Sequence, residues 1–246
     1  MEHIEHCHKM AQMASIAYLN AKEAKPKFDK LGYKNHRFIS DGGAQVHIVW
    51  NKKEFALCFR GTEPSQFSDI KADLNALPDR ANNGQGFVHN GFQEEVNKVW
   101  DEIGKHIHHA DGKQLFITGH SLGGAMSTIA ASRLGDQVTC LYTYGSPRAG
   151  TRKFVKSIAC PHYRHVNNND IVPKVPFAFL GYRHHGTLRY INFYGNVRKM
   201  TYWQRFKDAW RGRFTAWKNK KPFDGARDHG MGNYVKYTEK NNGFDC

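Results

Sequence analysis

The octapeptide TGHSLGGA at residues 118–125 constrains this chain more than any other feature. A serine stands there in the frame G-x-S-x-G, after an apolar run at 114–118 and before small and apolar residues at 126–134. This order is typical of a strand that turns sharply into a helix and lifts the serine clear of the sheet. Glycine on either side has no Cβ to block neighbouring elements. The pattern therefore predicts that Ser121 is a nucleophile.

The length of the chain and the order of its segments predict one α/β domain over residues 1–246. A chain of 246 residues is long enough to bury a substantial core, and 40% hydrophobic with 24% charged residues is typical of a globular protein. Segments with strand character alternate with segments of helical periodicity. We therefore expect a mostly parallel central sheet with helices on both faces.

Periodicity and turn residues place the individual elements. Helices are predicted over 8–20, 91–109, 126–134 and 150–158. Strands are predicted over 44–50, 54–60, 114–118, 138–144, 163–167 and 188–193. The polar stretch at 51–53 suits a hairpin turn, and the segment 61–90 is predicted to be a loop because it is rich in glycine and asparagine.

The charge of the chain and its cysteines bear on partners and location. The formal net charge of +14 favours a polyanionic neighbour, which includes an anionic membrane surface. The five cysteines are odd in number and scattered, and Cys58 and Cys140 fall within predicted buried strands, as reduced thiols do. The N-terminus lacks an apolar signal core. A cytoplasmic location is the default expectation, and export without a signal peptide stays open.

A catalytic serine needs a histidine to accept its proton and a carboxylate to orient that histidine. In α/β hydrolases the acid follows the serine in the chain and lies after a later strand. Asp170 comes directly after the strand at 163–167 and is the preferred acid. Asp136 comes too soon after the serine, and Asp224 and Asp228 come too late.

His229 is the preferred base because it comes after the last predicted strand. His184 and His185 compete for this role, although they lie close after Asp170 and before the strand at 188–193. A metal site is not favoured, because the N-terminal histidines lack an obvious second group of ligands.

The negative oxygen formed during acyl transfer needs two hydrogen-bond donors. One is expected to be the backbone N–H of Leu122, directly after the nucleophile. The second is expected from a loop after an earlier strand, and Thr62 in the sequence RGTE at 60–63 fits this position.

Together these motifs resemble the class 3 lipases, the family typified by filamentous-fungal triacylglycerol lipases. The resemblance covers roughly residues 11–237. Its motifs are FRGT at 59–62, VHNGF at 88–92, GHSLGG at 119–124, NDIVP at 169–173 and DHGMGNY at 228–234. The resemblance implies an α/β-hydrolase fold and a lipase or carboxylesterase that uses Ser121, Asp170 and His229, with no metal or organic cofactor.

The resemblance also implies supporting roles around the oxyanion site. Thr62 would give its hydroxyl as well as its amide, and Asp73 would steady that hydroxyl. The family's lid falls at about 64–72, where only Phe67 and Ile70 are strongly apolar. This departure from an apolar lid argues against strong interfacial activation.

A second unusual segment, residues 198–221, is expected to be an insertion before the catalytic histidine. Trp203, Trp210 and Trp217 are spaced by seven, Phe206 and Phe214 share their helical stripe, and lysines and arginines flank it. Such a basic, aromatic helix fits an anionic membrane surface. The same stripe would equally pack on the hydrolase core or roof an acyl groove, with its cationic stems reaching outward.

Two classes of function therefore compete. The preferred reading is hydrolysis of a lipid ester, acylglycerol or phospholipid, through an acyl-enzyme. The alternative is a catalytically silent module on a hydrolase scaffold that binds lipid or a polyanion. Nucleic acid is disfavoured as a partner, because the aromatic stripe lies on one helical face and not in an open stacking groove.

Overall fold

A mainly parallel sheet forms the centre of the computed structural model, which describes residues 6–61, 78–218 and 225–241. The strands are β1 (Asn35–Asp41), β2 (Ala44–Trp50), β3 (Glu54–Phe59), β4 (Pro78–Arg80), β5 (Phe87–His89), β6 (Gln114–His120), β7 (Val138–Tyr144), β8 (Gly150–Thr151), β9 (His162–Asn167), β10 (Tyr182–Arg183), β11 (Thr187–Ile191) and β12 (Val197–Arg198). The α-helices are α1 (His6–Ile16), α2 (Ala21–Lys30), α3 (Asn90–His106), α4 (Leu122–Leu134), α5 (Arg152–Lys156), α6 (Tyr202–Lys218), α7 (Gly225–Asp228) and α8 (Met231–Lys240).

The central sheet has eight strands in the order β1-β2-β3-β6-β7-β9-β11-β12 within the described ranges. Neighbours from β3 to β11 are parallel, and the pairs at the two ends of the sheet are antiparallel. The register pairs Phe59 with Gly119 and Gly119 with Thr143. The carboxyl ends of three parallel strands therefore lie side by side at the turn that carries Ser121, which is where ligands bind in open α/β sheets.

Both faces of the sheet are covered, as expected for parallel strands with continuous apolar sequences. Successive residues of β3 face opposite sides: Leu57 packs in a core with α3 and α4, and Cys58 packs in a second core with α1, α2 and α8. The α/β fold predicted from the sequence is confirmed, and the fully buried Cys58 and Cys140 lie in strands as expected.

The polar segment predicted to be a loop contains two short strands, β4 and β5. They join β8 and β10 in a small antiparallel sheet in the order β10-β8-β5-β4. The loop prediction is wrong at these positions, because strands of three residues are too short to show an alternating pattern.

The N-terminal region also differs from prediction. The helix predicted over 8–20 ends at Ile16, and a second helix, α2, begins after Asn20, whose side chain accepts the backbone N–H of Glu23 at 3.0 Å. The edge strand β1 was not predicted, because most of its residues are exposed and its hydrophobic signal is weak. Among the helices described here, none is long and apolar enough to cross a membrane.

Glu54 ties the helical layer to the first residue of β3. Its carboxylate accepts hydrogen bonds from Lys9 at 2.6 Å, Tyr33 at 2.5 Å and His6 at 3.2 Å. The contact with His6, followed by those with Lys9 and Tyr33, outweighs desolvation and lowers the pKa of Glu54 from 4.5 to about 2.

Replacing Glu54 with glutamine is expected to destabilise the fold at neutral pH by about 1–2 kcal/mol, which discounts the full linkage value for partial solvent screening. A lowered folded-state pKa stabilises the protein above the unfolded-state value of 4.5, and this contribution is lost as the pH falls towards 2. Urea unfolding at pH 7 and pH 3 should therefore show a difference that shrinks in acid. Exposed Glu239→Gln is the control, and an equal loss at both pH values would contradict the assignment.

Candidate active site

The backbone at Ser121 has the strained turn that the sequence predicts. Ser121 lies between β6 and α4 with φ 56° and ψ −129°, a conformation that residues other than glycine rarely adopt. Its N–H donates to the carbonyl oxygen of Tyr144 at 3.0 Å, which fixes the turn to the end of β7. Strain of this kind persists only where the surroundings hold it, and it is common at catalytic residues.

Close packing explains both flanking glycines. A Cβ on Gly119 would lie 2.3 Å from the carbonyl oxygen of Gly123, and a Cβ on Gly123 would lie 2.3 Å from the carbonyl oxygen of Phe59. Both distances are too short for real atoms, and both obstacles are backbone that cannot swing away. The G-x-S-x-G frame is therefore required by the approach of helix α4 to the ends of β3 and β6.

The structure brings Ser121, His229 and Asp170 together in one hydrogen-bonded chain. The Oγ of Ser121 lies 2.9 Å from Nε2 of His229, and Nδ1 of His229 lies 2.9 Å from Oδ2 and 3.0 Å from Oδ1 of Asp170. The acid is acceptor-only, so Nδ1 carries the proton and Nε2 is left to accept from the serine hydroxyl. All three side chains are buried. These are the residues, in the order, that the sequence predicts.

Asp170 is held by two donors besides His229. The backbone N–H of Val172 donates to Oδ1 at 2.9 Å, and the hydroxyl of Tyr234 donates to Oδ2 at 2.5 Å. Burial, together with the nearby Asp170 charge, raises the pKa of Tyr234 well above its ordinary value, so the phenol stays protonated. Sequence reasoning missed Tyr234, because only the fold shows that α8 brings it back to the acid.

His120 also contacts the base and was not predicted to do so. Its Nε2 donates to the backbone carbonyl oxygen of His229 at 2.7 Å, its Nδ1 accepts from the hydroxyl of Tyr18 at 2.7 Å, and the rings of His120 and His229 stack at 4.5 Å. Burial lowers the pKa of His120 well below its usual range, which keeps it neutral. His120 therefore positions the segment that carries the base.

The competing histidines and carboxylates lie elsewhere. Nε2 of His184 donates to the carbonyl oxygen of Pro173 at 2.8 Å, and Nδ1 of His185 lies 3.3 Å from a nitrogen of His162. Asp136 is exposed, whereas Asp228 accepts the backbone N–H of Asn169 at 3.0 Å and so supports the turn of the acid. Asp224 lies outside the described residues.

Of the two predicted oxyanion donors, Leu122 lies within the described residues and Thr62 does not. Leu122 is the first residue of α4, so its N–H has no acceptor within the helix and is available for a ligand. Gly61 lies against the nucleophile, since a Cβ built on it would be 3.2 Å from the Cβ of Ser121. Thr62, Asp73 and the expected lid at 64–72 lie outside the described residues, so their roles stay predictions.

Comparison with known proteins agrees with this geometry. The family model for lipase (class 3) matches residues 56–180, about half of the chain. The chain belongs to the class 3 lipase family. This chain is 32% identical over 161 residues to toxin TseL of Vibrio cholerae serotype O1, and the alignment covers 63% of this chain and 24% of the toxin. It is also 32% identical over 163 residues to a lipase of Rhizomucor miehei, covering 60% of this chain and 44% of that lipase.

Solved structures of class 3 lipases share the fold. The crystal structure of the lipase from Rhizopus microsporus var. chinensis has a TM-score of 0.64 and 25% sequence identity, and the match covers 77% of this chain and 75% of that one. The curated relatives are longer than the part that aligns. The aligned part of this chain spans less than half of the length of the Vibrio toxin and of the Rhizomucor lipase.

The aromatic stripe of α6 does not pack on the core. Its aromatic side chains are all exposed by more than two fifths: Tyr202, Trp203, Phe206, Trp210, Phe214 and Trp217. The helix instead buries Asp208 and Gly212. Packing of the stripe on the hydrolase core is therefore wrong, since Asp208 and Gly212 are buried and the aromatic rings are exposed. Docking on a membrane surface and roofing of an acyl groove stay predictions.

Tyr234→Phe tests the link between α8 and the acid. The change removes the hydrogen bond to Asp170 and the acceptor of the Asn167 backbone N–H, and it touches no substrate. We therefore expect kcat for ester hydrolysis to fall about tenfold with little change in KM. Tyr237→Phe is the matched control, because it also removes a phenol oxygen from α8 but at a position that does not contact Asp170. Steady-state kinetics beside thermal unfolding will separate the effects, and an unchanged kcat in Tyr234→Phe would contradict the positioning role.

Proposed function

We propose that this protein hydrolyses lipid esters through an acyl-enzyme formed on Ser121. The observation that carries the proposal is the continuous chain from the Ser121 hydroxyl through His229 to buried Asp170, with both contacts at 2.9 Å. A serine hydroxyl becomes a useful nucleophile at neutral pH when a base takes its proton in the transition state. The membership in the class 3 lipase family supports the choice of an ester substrate.

In the first half of the reaction, Ser121 Oγ attacks the ester carbonyl carbon and its proton passes to Nε2 of His229. The resulting imidazolium faces the carboxylate of Asp170, which stabilises its charge and holds the ring in place. The N–H of Leu122 and a donor from Thr62 receive the negative oxygen. His229 then protonates the departing alcohol oxygen, the carbon–oxygen bond breaks, and the acyl group stays on Ser121.

In the second half, a water molecule takes the place of the alcohol. His229 accepts a proton from the water, whose oxygen attacks the acyl carbonyl carbon, and the same donors receive the negative charge. Return of the proton to Ser121 Oγ releases the fatty acid and restores the enzyme. Each step uses only groups of this chain and water.

Acylglycerols are the first substrates to test. A relative described as a secreted mono- and diacylglycerol lipase of Fusarium solani is 38% identical over 110 residues, 39% of this chain and 32% of the relative. A relative described as secreted mono- and diacylglycerol lipase A of Penicillium cyclopium, 36% identical over 103 residues, 38% of this chain and 34% of the relative, points to the same class of ester. Phospholipids are the second class, for reasons that lie in helix α6.

Ser121→Ala should reduce kcat for ester hydrolysis by at least about 10⁴-fold, because the nucleophile is lost while the fold is retained. A fluorophosphonate probe should label the parent protein and not this variant. Ser132→Ala, whose hydroxyl caps a carbonyl in α4, is the control and should label normally. A parent protein that fails to label would favour the alternative, a catalytically silent lipid-binding module.

We also propose that α6 docks the enzyme on an anionic lipid surface, which favours phospholipid among the substrates. Trp203, Phe214 and Trp217 are 68%, 61% and 74% exposed, which is unusual for such large apolar side chains. Lysines and arginines lie on the same helix, and the chain has a net charge of +14. Aromatic side chains beside cationic ones suit the boundary between lipid headgroups and acyl chains.

A second apolar projection supports the same docking face. Phe177, Phe179 and Leu180 are exposed at a short turn, and the rings of Phe177 and Phe179 stack at 5.3 Å. This turn follows Lys174, which lines a cavity together with side chains of α6. Arg148, which lines this cavity, donates at 2.9 Å to the carbonyl oxygen of Pro176 just before the turn, so the turn is tied to the same part of the molecule.

Docking is tested by Trp203→Ala combined with Trp217→Ala. Each indole that enters the interface contributes about tenfold in binding, so vesicles of phosphatidylcholine with phosphatidylglycerol should bind the double variant about a hundredfold more weakly. Vesicle sedimentation with the Ser121→Ala protein avoids hydrolysis during the measurement. Phe87→Ala removes an exposed aromatic ring from the small sheet as a control. Equal binding of parent and double variant would refute docking through α6.

A further inference from the structure

A cationic cavity lies between helix α6 and the main sheet, beside the acid of the triad. It has a volume of about 500 Å³ and is reached from the side of the aromatic stripe, since Phe206 and Trp210 line it. Five cationic side chains share its lining: Arg148, Arg164, Lys174, Arg205 and Arg213. Neither Ser121 nor His229 lines it, so the cavity is separate from the place where the ester reacts.

Most of the charged side chains that line this cavity are cationic. Asp170 is the one carboxylate among the lining residues, and its oxygens already accept from His229, Val172 and Tyr234. His184 adds no charge, because burial lowers its pKa well below its usual range. Five cations line the cavity against Asp170, and Asp208 lies behind the lining, where it contacts Asn168 and Tyr190. The lining itself is therefore predominantly cationic in a partly enclosed space.

Two of the arginines have buried nitrogen atoms without a partner. The Nε atoms of Arg164 and Arg205 are both buried and form no hydrogen bond within the described residues. Burial lowers the pKa of Arg164 to about 10, and the neighbouring charges of Arg148 and Arg205 act in the same direction. A desolvated guanidinium is costly unless it meets an anion, so this arrangement is typical of a site built for one.

The walls of the cavity are held in place before any ligand binds. The guanidinium of Arg148 donates to the carbonyl oxygens of Lys174 and Pro176, the latter at 2.9 Å. Asp208 of α6 accepts from Asn168 at 2.7 Å and from the backbone N–H of Phe193 at 2.9 Å. The helix is thereby fixed to the loop that precedes Asp170, and the arginines from both sides keep their spacing.

We propose that this cavity binds the phosphate of a lipid headgroup, with the lipid tail directed along the exposed aromatic rings. Guanidinium groups match the geometry of phosphate, which they bind through paired hydrogen bonds. Cations inside and Phe206 and Trp210 at the mouth form an amphiphilic site, which suits an anionic lipid better than a free ion. The proposal extends the docking proposed for α6 by adding a site that recognises one lipid molecule.

Arg164→Gln in the Ser121→Ala protein tests the site by binding alone, so the result does not depend on whether Ser121 is the nucleophile. Binding to vesicles of phosphatidylcholine with phosphatidic acid should weaken about tenfold, because one charge-assisted contact is lost. Arg205→Gln, on the outer wall, should show the same loss and guards against misfolding of the first variant. Arg37→Gln removes an equal charge from the opposite edge of the sheet and should bind like the parent.

Calorimetric titration of the same proteins with inorganic phosphate distinguishes a lipid headgroup from a soluble anion. Loss of vesicle binding in both cavity variants, with Arg37→Gln unaffected, supports the proposal. Equal losses in all three variants would show only general attraction between charges and would overturn it. Phosphate binding that depends on Arg164 while vesicle binding does not would assign the cavity to a soluble phosphate and overturn the lipid assignment.

Discussion

The site depends on close contact between three backbone segments: the end of β3, the turn at Ser121 and the start of α4. Gly119 and Gly123 allow a separation that no side chain could fit, with virtual Cβ atoms only 2.3 Å from backbone oxygens. That contact forces Ser121 into positive φ and directs the nucleophile to the carboxyl edge of the sheet. The base and the acid reach the same edge on later loops, because parallel strands end there together.

The side chains that hold the triad in place form a connected hydrogen-bond network. Asp170 accepts from a histidine, a tyrosine and a backbone N–H, and neutral His120 uses one ring nitrogen to donate and the other to accept. Such a network is stable in a low-dielectric interior because no member is left without a partner. In the cavity beside this network, the buried Nε atoms of Arg164 and Arg205 lack partners within the described residues.

Helix α6 reverses the usual orientation of an amphipathic helix. Its buried face carries Asp208 and Gly212, and its exposed face carries the aromatic stripe. Gly212 is needed because a Cβ there would lie 2.7 Å from Nδ2 of Asn169. A helix that exposes its largest apolar groups stabilises the fold less than one that buries them. Departures from the usual burial of the apolar face are expected where a segment serves a function.

The sequence alone determined the fold class, the nucleophile and the order of the triad. Parallel strands buried on both faces need continuous apolar runs, and a strained strand-to-helix turn needs glycines at set positions, so both leave local patterns. Strands with weak patterns, such as β1, β4 and β5, were missed because edge positions and short lengths remove the hydrophobic signal.

Only the tertiary structure decided which side of α6 faces outward and which residues support the triad. The sequence preferred His229 to His184 and His185 as the base, and the folded chain places its Nε2 2.9 Å from Ser121 Oγ. Tyr234, His120 and the arginines of the cavity come from distant segments. Contacts between distant segments depend on packing in three dimensions. The periodicity of a helix shows that one face is apolar, but it does not show which surface that face contacts.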